Sequence, residues 1–311
     1  MRRLSISLAL LGTAAAATLV LRFDAGDILR AMLFIGWPGA TLLLAIQGVL
    51  FCVLGLAWAT VQPGIRPTLL IWGRMVRDAA TTCLPFSPVG GYVLGIRAVA
   101  LHGPAWPIAA AGTIVDVTAE ITAQLLFALL GIATLLIARP GNDLVIPVGV
   151  GLVAALALLI AGLTQRGRIG TVIGALATRL LGHRADQATP LGHAAQRLYA
   201  NRLRVCAAIA IHLCGWLATG VATWLSLHLL GLDLPIVPIL ALEAVLDAVV
   251  AIAFLVPGAI GVQEAGYLGL GTIYGIPPDL ALSVSLLRRA REASWGIPIL
   301  ALWQWQEFRR L

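Results

Sequence analysis

The chain has 311 residues, 60% hydrophobic and only 11% charged, with a formal net charge of +7 and a mean hydropathy of +0.95. Soluble domains carry about 25% charged residues, so this composition leaves little room for one and marks a polytopic membrane protein. All 21 basic residues are arginines, which excludes a Schiff-base lysine and a Walker-type phosphate loop; the positive balance reads as arginine in cytoplasmic loops, not as a nucleic-acid surface.

A spanning helix needs roughly 20 apolar residues. Met1-Arg2-Arg3 precedes the apolar run 4–21, which is long for a cleaved signal and lacks a clear small-x-small site at its end. It is read as an uncleaved first transmembrane helix. Further spans are predicted at 40–61, 107–138, 145–163 and 205–230. Two regions, 67–101 and 237–275, are apolar but broken by proline and glycine: Pro85, Gly90 and Gly91 in the first, Pro257, Gly258 and Gly261 in the second. The last helix, 279–306, has an unusually polar middle. Between the spans, 164–204 is an Arg-rich loop holding Arg166, Arg168, Arg179, Arg184, Arg197, Arg202 and Arg204 against the single acid Asp186. Its stretch Ile169–Leu181 suits an amphipathic surface helix or a solvated loop.

Arginine placement sets the orientation. Arg2 and Arg3, the 164–204 loop, and Arg309 with Arg310 all point to the cytoplasm, so both termini lie inside. The parity closes if 67–101 and 237–275 each return to the side they start from, or if one of them crosses as two ordinary helices. The breaks carry a second regularity. Asp116 and Glu120 follow Pro85 at offsets of 31 and 35 residues, and Arg288 and Glu292 follow Pro257 at the same offsets. Broken helices at corresponding places in two halves point to a transport site near the midplane. The expected fold is all-α: a single integral membrane domain of about six to eight spans, with two re-entrant or broken hairpins related by an inverted repeat.

Ionisable groups at membrane depth are costly and mark function. The candidates are Asp116, Glu120, Glu243, Asp247, Glu264, Arg288, Arg289, Arg291 and Glu292. Asp116 with Glu120, Glu243 with Asp247, and Arg288 with Glu292 are each four apart and share a helix face. The economical pairing sets Asp116 or Glu120 against Arg288. Such pairs either lock helices together or present an arginine fork to a phosphate or carboxylate. Glu264 is placed in the first turns of a helix restarting after Gly261, where the helix dipole favours its charge. His212 is expected as a packed, hydrogen-bonded core residue, and His183 and His193 as solvated. The four cysteines, Cys52, Cys83, Cys206 and Cys214, are read as buried hydrophobes without disulfides. Trp37, Trp106, Trp303 and Trp305 flank apolar segments as interface anchors do. There is no HExxH, Cys/His cluster or GxSxG motif, so neither a metal, a cofactor nor a catalytic residue is expected.

The segment VPGAIGVQEAGYLGL, followed by SLLRRARE, resembles the closing signature of the lysylphosphatidylglycerol-synthase transmembrane, or flippase-like, family. Pro257, Gly258, Gly261, Glu264 and Arg288 match its pattern. In the first half, LPFSPVGGYVLGIRAVALHG keeps Pro85, Gly91 and Arg97, but Tyr92 stands where the pattern has an acid. That stretch also looks like the subgroup associated with hopanoid biosynthesis. The resemblance implies lipid translocation across the bacterial inner membrane or assistance to lipid modification, with membrane lipids and lipid-biosynthesis enzymes as partners. The charges at membrane depth and the resemblance together give Arg97, Asp116, Glu120, Glu264, Arg288 and Glu292 as the candidate binding or translocation residues. Aminoacyl transfer is not expected, because the soluble transferase domain of full-length synthases has no counterpart here. A membrane-embedded enzyme and a scaffolding subunit are the competing functions.

Overall fold

The computed structural model describes residues 33–84, 87–138, 150, 153–154, 156–157, 188–253, 259 and 261–309. The predicted first span 4–21, most of 145–163, the stretch 169–181, His183, and Pro85, Pro257 and Gly258 lie outside the described residues. Within them the chain is helical, without strands. The helices are α1 (Gly36–Val61), α2 (Pro67–Cys83), α3 (Ser87–Ala100), α4 (Trp106–Ala138), α5 (Ala188–Ala200), α6 (Arg202–Leu229), α7 (Ile236–Ile252), α8 (Val262–Ile273) and α9 (Pro278–Phe308). Three of them are long and apolar enough to cross a membrane: Gly36–Val61, Trp106–Ile137 and Arg202–Leu229, with mean hydropathies of 2.3, 2.0 and 1.9. The two broken regions each resolve into two helices, α2 with α3 and α7 with α8. One expectation changes. Residues 188–200, assigned to the Arg-rich loop, form a helix packed on α4. Leu191 and Ala195 are its buried face, while His193 and Arg197 stay exposed.

The turns follow from glycine and proline. Gly275 adopts φ +75° just after α8, and the Ile276 N–H returns to Gly271 O at 2.9 Å, closing the helix end. Pro277 and Pro278 then open α9, where a missing N–H costs nothing.

Contacts divide the chain into two compact units built from sequence-distant segments. The first takes the described residues of Met1–Phe51, Met75–Gly95 and Thr219–Leu311. Its apolar core joins Leu227, Ile239, Leu242, Leu246, Tyr267, Val284 and Leu287. Small residues let the helices approach, as between membrane helices generally. Gly220 leaves space for Leu240, Gly266 for Leu246 and Gly296 for Cys83. Trp295 packs edge-on against Phe51 and donates to Leu44 O at 3.0 Å.

The second unit takes the described residues of Cys52–Arg74 and Ile96–Ala218. Its core joins Trp58, Leu70, Val99, Val115, Ala119, Leu191 and Val205. Gln62 is buried here. It accepts from Trp58 Nε1 at 2.8 Å and donates to Ile108 O at 2.7 Å. Gly112 makes room for that amide, since a Cβ there would collide with Gln62 Oε1. Thr118 and Tyr199 share a hydrogen bond of 2.7 Å between α4 and α5.

Two composition-based expectations are corrected. Cys83 is buried, but Cys52, Cys206 and Cys214 lie on exposed helix faces; an apolar thiol suits a lipid-facing position as well as a core one. Trp37 and Trp305 are exposed as anchors should be, whereas Trp303 is buried, because the position facing the protein is set by the helix face and not by closeness to the chain end.

Candidate functional site

Among the described residues each unit holds a charged cluster built on an acid pair one helical turn apart, and the first unit adds a clamp between Glu264 and Arg289. In the second unit α4 carries Asp116 and Glu120 on one face. Arg74 of α2 reaches both. Its Nη2 donates to Glu120 Oε1 at 2.6 Å, its Nη1 to Glu120 Oε2 at 3.1 Å, and Asp116 Oδ2 lies 3.8 Å away. Asp116 is fully buried and its Oδ1 is 2.9 Å from His212 Nε2. His212 is thus the packed, hydrogen-bonded residue expected. Arg74 and Asp116 are shut in, with side chains 5% and 0% exposed, while Glu120 is 16% exposed.

In the first unit α7 carries Glu243 and Asp247 on one face. Arg288 of α9 donates from Nη1 to Glu243 Oε2 at 2.8 Å, from Nη2 to Asp247 Oδ1 at 3.0 Å and from Nε to Glu292 Oε1 at 3.2 Å. Glu243 Oε1 also accepts from Thr223 Oγ1 at 2.7 Å and from the Tyr267 hydroxyl in a very short contact. The anticipated facing of Arg288 to Asp116 or Glu120 is corrected by these partners. An arginine takes the carboxylates its helix packing brings within reach, and here α7 supplies them.

Glu264 belongs to the third position of α8, as expected. The N-cap is Gly261 at φ +82°, a conformation that strains any side-chain-bearing residue. The Gly261 N–H donates to Glu264 Oε2 at 2.8 Å, so the carboxylate caps the helix it starts. Arg289 clamps that carboxylate from α9, with Nε to Oε1 at 2.5 Å and Nη2 to Oε2 at 3.0 Å. Arg289 Nη2 also donates to Ala259 O at 3.3 Å, tying the backbone ahead of the break. Gln263 donates to Ser285 Oγ at 2.8 Å on the same α8–α9 face.

Gly90 and Gly91, expected as helix-break residues, lie instead within α3; Gly91 serves close packing there, since a Cβ would come within 2.6 Å of Arg77 O. Arg97 sits half-buried in the last turn of α3. Tyr92, standing where the resemblance has an acid, lies under the Arg77 guanidinium at 5.4 Å. Arg74, Tyr267, Thr223 and Gln263 were not anticipated. Arg74 and Arg77 had a readable signal, two arginines three apart inside a region read as mostly apolar. The hydroxyl and amide residues had none, since their role depends on which acid they meet. No group of metal-ligating side chains occurs among the described residues.

This arrangement of helices, helix breaks and interior charges coincides with a family match across residues 4–300, to the family described as Lysylphosphatidylglycerol synthase TM region. The chain belongs to that family. No curated protein and no solved structure matches it. As a member of the lysylphosphatidylglycerol synthase TM family, the chain is a membrane protein, and its ion pairs have an apolar surrounding to satisfy. In such surroundings a carboxylate is tolerable only beside an arginine or a hydrogen-bond donor. Both clusters meet that condition.

Proposed function

We propose that this chain translocates a membrane lipid, a phospholipid or a hopanoid-related lipid, across the bacterial inner membrane, and that it carries out no covalent chemistry of its own. Both termini are placed in the cytoplasm, and enzymes of lipid biosynthesis are the expected partners. One observation carries the reading: each cluster has a closed cationic centre and a carboxylate edge that remains reachable. Arg74, Arg288 and Arg289 are 5%, 13% and 7% exposed, against 16%, 25% and 26% for Glu120, Glu292 and Glu264. A polar headgroup needs such an edge to exchange its hydration for protein partners, and it needs helix breaks where backbone groups are free to help. Family membership supports the same reading, as does the Gly-rich break whose cap, Glu264, is itself part of the clamp.

The test is lipid movement in vesicles. The purified protein, reconstituted with a fluorescent phosphatidylglycerol or a fluorescent hopanoid, is expected to expose inner-leaflet label to a membrane-impermeant quencher faster than empty vesicles do. Glu264→Gln, which keeps size and one acceptor for Arg289 but loses the charge, is expected to slow that exposure at least tenfold. Parent vesicles indistinguishable from empty ones with both lipids would overturn the proposal.

A further inference from the structure

Helix α6 is long and apolar enough to span, and it opens on Arg202, Leu203 and Arg204. The start of a spanning helix stands at the level of the lipid headgroups. Asn201, Arg202, Leu203 and Arg204 are all exposed, so this first turn stands clear of the protein. Arg197, in the last turn of α5 just ahead of the corner, is exposed as well. Arg197 Nε donates to His193 O at 3.4 Å, within its own helix. Otherwise the guanidiniums of Arg197, Arg202 and Arg204 have no hydrogen bond or ion pair among the described residues. The sequence holds no acid from Gln187 to Leu232, so neither helix supplies a counter-charge. The corner is a concentrated positive surface, unlike Arg74, Arg288 and Arg289, which meet carboxylates inside the protein.

Positive charge alone suits an anionic membrane, an acidic protein or a nucleic acid. Leu203 separates them. It is 81% exposed between two arginines, at the point where α6 enters the apolar layer. A leucine there is surrounded by acyl chains, while the flanking guanidiniums extend on their apolar stems to the phosphates above. Cys206, exposed two residues further on, continues the apolar side of the turn. A soluble acidic partner would leave Leu203 in water.

We propose that the α5–α6 corner is a binding surface for the anionic phospholipids of the cytoplasmic leaflet, with Arg197, Arg202 and Arg204 on the headgroup phosphates and Leu203 in the acyl boundary. The surface shares no residue with the interior charge clusters, and it stands whether or not the chain moves lipid. Each arginine held at an anionic membrane surface strengthens binding roughly fivefold.

The test compares the full-length parent in detergent with Arg202→Gln/Arg204→Gln and with the triple variant that adds Arg197→Gln. The probes are dioleoyl phosphatidylglycerol, phosphatidylserine and phosphatidylcholine in mixed micelles, and affinity is read from protection against thermal unfolding. Without lipid both variants are expected to unfold at the temperature of the parent, because the substituted side chains are exposed. The parent is expected to bind both anionic lipids at least tenfold more tightly than phosphatidylcholine, with the gap narrowing at high ionic strength. In the triple variant the gap is expected to shrink to within about twofold, the loss of three contributions of roughly fivefold. The double variant should fall between, and it carries the test if the triple variant fails to fold. Leu203→Ser is expected to weaken all three lipids alike. A parent without anionic preference, or folded variants that keep the parent's preference, overturns the surface. Retention of phosphatidylglycerol but not phosphatidylserine overturns it too, since a surface that reads charge does not separate them. A short single-stranded oligonucleotide bound more tightly than either anionic lipid overturns the choice of a membrane as the partner.

Discussion

Replacing Arg288 with methionine removes the shared cation of three carboxylates while keeping most of the side-chain length. Glu243 is 0% exposed and Asp247 3%, with Arg288 nitrogens 2.8 and 3.0 Å from their oxygens. Removing one partner of a buried pair costs about 3–5 kcal/mol, because the remaining charge has nowhere to go. Two such acids remain here, so Arg288→Met is expected at the upper end of that range. The cost belongs to the stranded acids more than to the lost bonds, and that can be separated. Adding Glu243→Gln and Asp247→Asn removes both buried charges. The new glutamine can still accept from Thr223 and Tyr267, the donors that Glu243 Oε1 uses now. The triple variant is expected to recover to within about 1.5 kcal/mol of the parent, since replacing a whole buried ionic group is often neutral. Unfolding of the detergent-solubilised protein, followed by tryptophan fluorescence for the parent and both variants, measures this. A loss below about 1 kcal/mol for Arg288→Met, against the several expected from stranded buried charges, or a triple variant as unstable as the single one, would refute the reasoning.

Gly112→Ala should destabilise by about 1–3 kcal/mol, the usual cost of overpacking plus a disturbed buried hydrogen bond. The new methyl collides with Gln62 and breaks its bridge from Trp58 to Ile108, and the fluorescence of Trp58 should report it. Tyr199→Phe deletes one hydroxyl from the α4–α5 contact at Thr118; a loss of about 1 kcal/mol is expected, with no change in lipid movement. Gly261→Ala forces a side chain into φ +82°, at a cost of order 1–2 kcal/mol. If proteolysis between α7 and α8 is no faster in that variant, the conformational argument fails.

The helices were legible because a run of apolar residues near 20 long has one solution in lipid: each backbone group bonds within its own segment. That local rule is why 40–61, 107–138, 205–230 and 279–306 fall within a few residues of α1, α4, α6 and α9. That 67–101 and 237–275 each hold two helices was legible too, but Gly90 and Gly91, read as part of the first break, lie inside α3, because a helical glycine can serve close packing as well as a turn. The i, i+4 acid pairs followed from helical periodicity alone, as did the meeting of Arg288 with Glu292. Residues 188–200 were misassigned because a short helix rich in polar residues owes its stability to packing on α4, which no local pattern announces.

Charge matching lay beyond the sequence. Arg288 lies 45 and 41 residues from Glu243 and Asp247, and Arg74 lies 46 from Glu120. Any of the interior acids would have satisfied any of the arginines by charge. Coulomb attraction has no preference for sequence position, so helix packing alone decided which guanidinium meets which carboxylate. That same packing left the Arg291 Nε without a hydrogen-bond partner. Composition determined that this chain is a helical membrane protein with ions in its interior; the tertiary structure decided how those ions are matched.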